Sequence, residues 1–184
     1  MNLPAGTPLK TDLDSASVDF FALVAELGRH RFNGYFAICT SGEGGFEEGT
    51  MVFDDGKPVA SFYEYYAYRR QYVGEEAFKR VLNAFSNVTG VVDILELSNE
   101  QVRLLLAFNE RAIMVPAAKD LEPRAVPFSQ AFEAEAKSSV VPLTKQELLK
   151  KYRLAEIERK PAGEQVHSLA LDGGDPLKPL FSEG

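Results

Sequence analysis

The sequence predicts an α+β fold in which helices cover one face of a sheet. Three observations predict it. Phe78, Val81, Leu82 and Phe85 recur at i, i+3, i+4 and i+7, the spacing of a single buried helical stripe. Between residues 35 and 63, three apolar runs are joined by short links containing Gly and Asp, the pattern of antiparallel strands. Ser98-Asn99-Glu100-Gln101 is a capping box that opens a further helix.

The elements follow in chain order. Residues 1–13 are extended, punctuated by Pro4 and Pro8. Ser17 is the expected N-cap of a first helix, with Asp19 in the first turn where a negative charge is favourable. Phe20, Phe21, Val24 and Leu27 form its buried face, and Gly28 its stop. Asn33-Gly34 signals a turn before a strand at 35–39. Ser41 to Gly45 is a Gly-rich loop, and Thr50 to Phe53 a second strand. Asp54-Asp55-Gly56-Lys57 is a tight turn into a third strand at 59–63, completing a three-stranded meander. Gly74 precedes the second helix, Gly90 breaks it, and residues 91–95 form a fourth strand. A third helix follows the capping box, with Leu97 and Val102 spaced as a hydrophobic staple, and ends near Met114. Its Leu104, Leu105, Leu106 and Phe108 spread around the circumference, which predicts deep burial or a partner.

Composition changes at Pro116. Residues 1–115 read as the α+β domain and 116–142 as a linker with Pro116, Pro123 and Pro127 and a short helix near Phe128 to Ala136. Residues 143–160 read as an amphipathic helix, opened by the capping box Thr144-Lys145-Gln146-Glu147 and stapled by Leu143 and Leu148. Pro161 stops it, and 161–184 read as a flexible tail.

The bulk composition excludes several classes. A hydrophobic fraction of 45% with 26% charged residues is that of a globular chain rather than a disordered one. A net charge of −7 repels phosphate backbones and anionic lipids, so nucleic acid is disfavoured as a partner and no membrane is expected. The single cysteine, Cys39, forms neither an intramolecular disulfide nor a multi-cysteine metal site, which fits a cytoplasmic protein. The N-terminus has no apolar signal core.

Catalytic chemistry finds little support. Nucleophilic catalysis needs a nucleophile, a base and an orienting group in contact. His30 closes the first helix and His167 lies in the tail, while Cys39 reads as a small packed hydrophobe. Ser41-Gly42-Glu43-Gly44-Gly45 lacks the Lys and Ser/Thr of a phosphate loop. Glu43, Glu47, Glu48, Asp54 and Asp55 do not follow a calcium-loop spacing and read as a solvated acidic edge. No enzyme activity, cofactor or metal is expected.

Two segments carry recognition chemistry instead. Residues 62–72 hold five tyrosines and two arginines, residue types enriched at binding hot spots. Tyr63, Tyr65, Tyr66, Tyr68, Arg69 and Arg70 are therefore candidate interaction residues, with alternate rings packed on the core. The second segment is the C-terminal helix, whose apolar face is Leu148, Leu149 and Tyr152. It is basic around that face, with Lys145, Lys150, Lys151 and Arg153 against Glu147, whereas residues 1–115 hold ten Lys/Arg against sixteen Asp/Glu. Its host is either the acidic domain or another protein.

Phe32-Asn33-Gly34-Tyr35, Phe46-Glu47-Glu48-Gly49, Phe53-Asp54-Asp55-Gly56, Tyr63-Glu64-Tyr65, Gly74-Glu75-Glu76-Ala77, Gly90-Val91-Val92-Asp93 and Ala107-Phe108-Asn109-Glu110 together resemble an uncharacterised archaeal protein family. The order of elements is also similar to the PATAN domain, named from the N-terminal region of PatA-type response regulators. The hairpin from Phe53 to Ala60 and the helix start from Gly74 to Ala77 carry that similarity. It implies a regulatory or protein-interaction module without enzymatic chemistry. The expectation is thus a non-enzymatic interaction, regulatory or scaffold module that binds another protein, with homodimerisation through the third helix compatible. The alternatives are a small-ligand sensor or an accessory subunit of a multi-chain enzyme, and then a nucleic-acid-associated protein.

Overall fold

The helices form where the apolar spacing lies. The computed structural model describes residues 3–87 and 89–139. Helix α1 (Phe20–Arg29) buries Phe20, Phe21, Leu23, Val24 and Leu27. Its N-cap is Asp19 rather than Ser17: the Asp19 carboxylate accepts from the Ala22 N–H at 2.7 Å. Ser17 ends a short 3-10 turn, Ser15–Ser17, and donates to the Asp14 carbonyl at 2.7 Å. Either residue type caps well, and Asp adds a charge suited to the helix N-terminus. The helix also runs through Gly28 to Arg29, with His30 as C-cap.

The sheet has six strands rather than the four expected, all antiparallel: β1 (Thr7–Asp14), β2 (Gly34–Gly42), β3 (Gly45–Asp54), β4 (Lys57–Tyr65), β5 (Arg70–Val73) and β6 (Gly90–Glu96). Their spatial order is β1-β6-β2-β3-β4-β5, so the expected meander β2–β3–β4 is the middle of a wider sheet. The added strands are the two edges. β1 pairs with β6 from Thr7 opposite Glu96 to Asp14 opposite Val91, through two irregularities. It is almost wholly exposed, so it lacks the alternation by which a half-buried strand is recognised. β5 is four residues long and comes from within the Tyr/Arg segment. Between β2 and β3 the chain turns over Glu43 and Gly44, so the Gly-rich loop is mostly paired strand.

Helix α2 (Glu75–Phe85) packs with α1 on one face of the sheet. Phe36, Ile38, Met51, Phe53, Tyr63, Val92 and Ile94 point into this layer, and Phe36 contacts Phe20, Phe53 and Phe85 at ring-centroid distances of 5.4–6.3 Å. Helix α3 (Asn99–Phe108) lies on the opposite face with both reciprocal hydrogen bonds of the capping box, Gln101 N–H to Ser98 Oγ at 3.2 Å and Ser98 N–H to Gln101 Oε1 at 2.8 Å. It ends at Phe108, six residues before the expected Met114, because Asn109 leaves helical geometry and a 3-10 turn, Glu110–Ala112, follows. Only Val102 and Leu105 are buried along it; Leu104 and Phe108 face outward.

Residues 116–139, read from composition as linker, cross the α1/α2 layer and end in α4 (Ala131–Ser138). Ser86 Oγ donates to the Val126 carbonyl at 2.6 Å, and Asn83 and Ser129 exchange hydrogen bonds of 3.1 and 2.7 Å. Ala136 is fully buried in the helix-side core. No helix among the described residues is long and apolar enough to cross a membrane. The expected helix at 143–160 and the tail at 161–184 lie outside the described residues.

Candidate functional site

Strand alternation sorts the Tyr/Arg segment between two faces. Tyr63 and Tyr65 point to the helix side and are each 2% exposed, so they are core residues rather than contact residues. Tyr63 lies opposite Gly49, where a side chain would press on its ring and on Val81. The Tyr63 hydroxyl donates to Glu47 Oε2 at 2.7 Å, and the Tyr65 ring meets Tyr63, Tyr68 and Tyr72 at 5.0, 6.3 and 5.9 Å. Tyr66 to Arg69 turn the chain between β4 and β5, with Arg69 at φ 50°. Tyr66 and Arg69 are exposed, and the half-buried Arg70 donates through Nη2 to the Ser139 carbonyl. The segment is therefore mainly core, with Tyr66 and Arg69 as its exposed part. Leu148, Leu149 and Tyr152 lie outside the described residues.

The centre of this region is Arg80, which is fully buried on α2. Its guanidinium lies 3.5 Å from the Tyr72 ring centroid and 5.0 Å from that of Phe132 on α4. Nη1 donates to the Glu76 carbonyl at 2.9 Å and to Glu76 Oε2 at 3.1 Å, and Nη2 donates to Glu135 Oε2 at 2.7 Å. Helix α4 is held a second time by Glu133, which accepts from the Glu43 and Gly44 N–H groups at 3.0 and 2.6 Å and from the Tyr68 hydroxyl at 3.2 Å. Sequence reading missed Arg80, Glu133 and Glu135, since a helical Arg and two carboxylates of a short helix are ordinary solvated residues until tertiary structure joins them.

Glu47 is buried in the same layer. Burial, helped by the charge of Glu133, pushes its pKa from 4.5 to about 6, against the Tyr63 hydrogen bond, which pulls it down. The folded state thus binds this proton more tightly than the unfolded chain. The resulting stability is complete below about pH 4.5 and is lost as pH rises through about 6. Above that, the ionised carboxylate costs roughly 2 kcal/mol. Glu47→Gln is expected to be more stable than the wild type at pH 8 in urea unfolding, and the two are expected to converge near pH 4.5. A difference independent of pH would reject this account.

The second face is covered unevenly. Tyr35, Val52, Ala60 and Phe62 lie under α3. Beyond them the face is open, with a concavity of about 580 Å³ lined by Leu3, Tyr35, Ala37, Cys39, Glu48, Glu64, Tyr66, Val91, Asp93 and Leu95. Cys39 lies between Glu48 and Val91, and Ala37 is opposite Asp93. The Tyr66 hydroxyl donates to Glu48 Oε2 at 2.6 Å, and the Asp12 N–H donates to Asp93 Oδ1 at 2.8 Å. Burial and then the charges of Glu48 and Asp93 push the Cys39 thiol pKa up, which disfavours the thiolate. The acidic residues of the β2–β4 region do not converge: Glu47 binds Tyr63 on the helix side, Glu48 binds Tyr66 on the open side, and Asp55 pairs with Arg31 at 2.6 Å. Alternation could have revealed the open face, because Cys39 and Asp93 fall on the opposite parity to the buried Ile38 and Ile94.

Fold and surface together define a small α+β protein built on one antiparallel sheet, with helices packed on one face and half of the other face open. The chain belongs to a family described as an uncharacterized protein conserved in archaea (DUF2226), which matches residues 1–109. No curated protein and no solved structure matches the chain.

Proposed function

We propose that this chain is a non-enzymatic protein-interaction module of regulatory or scaffold type, PATAN-like and cytoplasmic, which binds another protein through the open half of its sheet. The observation that carries this reading is the open half-face itself. Val91 and Tyr66 are 43% and 48% exposed there, beside Ala37, Leu95 and Tyr35, so apolar and aromatic surface sits in a concavity with a carboxylate rim. Apolar patches rimmed by polar groups are characteristic of protein-binding surfaces. The raised thiol pKa of Cys39 supports a binding role over a nucleophilic one.

The test is capture from the native host with the tagged full chain and a Val91→Arg/Tyr66→Ala variant. The full length is needed because a chain cut at Val115 loses the packed residues up to Ala136. A stoichiometric protein partner is expected with the wild type and at least tenfold less with the variant, at an unchanged circular-dichroism melt. Equal capture by both, or no stoichiometric protein with either, would overturn the proposal.

A further inference from the structure

We infer that the open half-face receives a basic amphipathic helix of a partner protein, with Glu48 and Asp93 setting the preference for positive charge. This inference rests on the interaction reading above and names the chemistry of the partner. A helix buries an apolar stripe against a sheet, and α3 already does so on the neighbouring half of this face. Ala37, Cys39 and Val91 form the floor on which a second helix would lie.

The charge preference follows from the strand register. Glu48 on β3 is directly opposite Glu64 on β4, and like charges opposed across a strand pair are destabilising. Asp93 adds a third carboxylate, and no Lys or Arg lines the concavity among the described residues. The bonds to Tyr66 and to the Asp12 N–H use Oε2 of Glu48 and Oδ1 of Asp93. Among the described residues, Glu48 Oε1 and Asp93 Oδ2 make no hydrogen bond. A cation above the row would offset the repulsion, whereas a phosphate backbone or an anionic lipid would add to it.

Spacing argues for a helix. Glu48 and Asp93 are separated by two strand intervals and by a two-residue stagger, which is about 12 Å at standard strand dimensions. Two turns of α-helix advance about 11 Å, so Lys or Arg side chains seven residues apart match the two carboxylates. The residues between them on the same side would supply the apolar stripe.

The experiment titrates the full chain against a fluorescein-labelled 18-residue Leu/Lys amphipathic peptide and its Leu/Glu counterpart, read by anisotropy. The double variant Glu48→Gln/Asp93→Asn keeps both acceptor oxygens used by Tyr66 and Asp12, so it removes charge with little change of structure. The Lys peptide is expected to bind the wild type, at least tenfold more weakly the double variant, and more weakly as salt is raised. A Glu75→Gln/Glu100→Gln control, with charges removed elsewhere, is expected to stay within twofold of wild type. Equal binding by wild type and Glu48→Gln/Asp93→Asn, an equal loss in the control, or binding of the Glu peptide would overturn the inference. Tight binding seen only after Lys150→Glu/Lys151→Glu would overturn it in favour of the chain's own basic segment. A concentration-dependent dimer abolished by Glu48→Gln/Asp93→Asn would overturn it in favour of a second copy. Partner capture that depends on Val91 and Tyr66, without binding of the Lys peptide, would reject the basic helix and leave the interaction reading standing.

Discussion

Replacing Arg80 with Ala is expected to destabilise the protein by about 3 kcal/mol, read as a lower midpoint in urea. Arg80 fills buried volume between Tyr72 and Phe132 while its nitrogens hold Glu76 on its own helix and Glu135 on α4. Both carboxylates are more than half exposed, so without Arg80 they return to water at little cost. The loss comes instead from the cavity, from the stacking on Tyr72, and from the loosening of α4. Nε has no hydrogen-bond partner, so the buried guanidinium is already incompletely satisfied. Arg80→Met is therefore the informative companion. It keeps most of the buried stem without the charge, and apolar replacement of a buried ion pair is often close to neutral. The Met variant is expected to fall within about 1 kcal/mol of wild type. If Ala and Met cost the same, the ion pairs rather than packing hold this layer.

Gly34→Ala is expected to cost about 3–4 kcal/mol, a fall in melting temperature of about 10 °C for a chain of this size. Gly34 has φ 146°, a backbone conformation that L side chains rarely adopt. A Cβ there would also overlap the Leu95 carbonyl oxygen and lie 2.7 Å from Phe32 Cζ and 3.0 Å from Glu96 Cα. Two of these neighbours are backbone of β6, so relief requires parting β2 from β6 at the sheet centre. Gly45→Ala separates strain from collision: Gly45 has φ 128°, and a Cβ there would meet nothing within 4 Å. It is expected to cost about 1–2 kcal/mol, the strain alone. Equal melting shifts for the two variants would mean that the contact with β6 contributes nothing.

Much of the candidate surface was legible only in part. The Tyr/Arg segment drew notice as the most unusual local composition, yet alternation turns Tyr63 and Tyr65 inward and leaves Tyr66 on the open side. A sequence read segment by segment shows that these rings alternate, but not which face is roofed by helices. Glu48 and Asp93 lie 45 residues apart in the chain and meet on one face because β6 inserts beside β2. Neither carries a local mark that distinguishes it from a solvated acid.

By itself the sequence determined the α+β class, the helix faces, the capping box at Ser98 and Gln101, the Asp54–Lys57 turn and the central strands. These depend on spacing, caps and turn conformations settled within a few residues of one another. The tertiary structure alone decided that the exposed run Thr7–Asp14 becomes an edge strand on β6, and that β6 lies between β1 and β2. It also decided that Arg80 is buried beneath α4 and that half of the second face stays open. The physical reason is the range of the interactions. Periodicity and capping are local and leave a trace in neighbouring residues. Strand partners, buried ion pairs and the coverage of a face join segments tens of residues apart, and their selection depends on how the whole chain closes on itself.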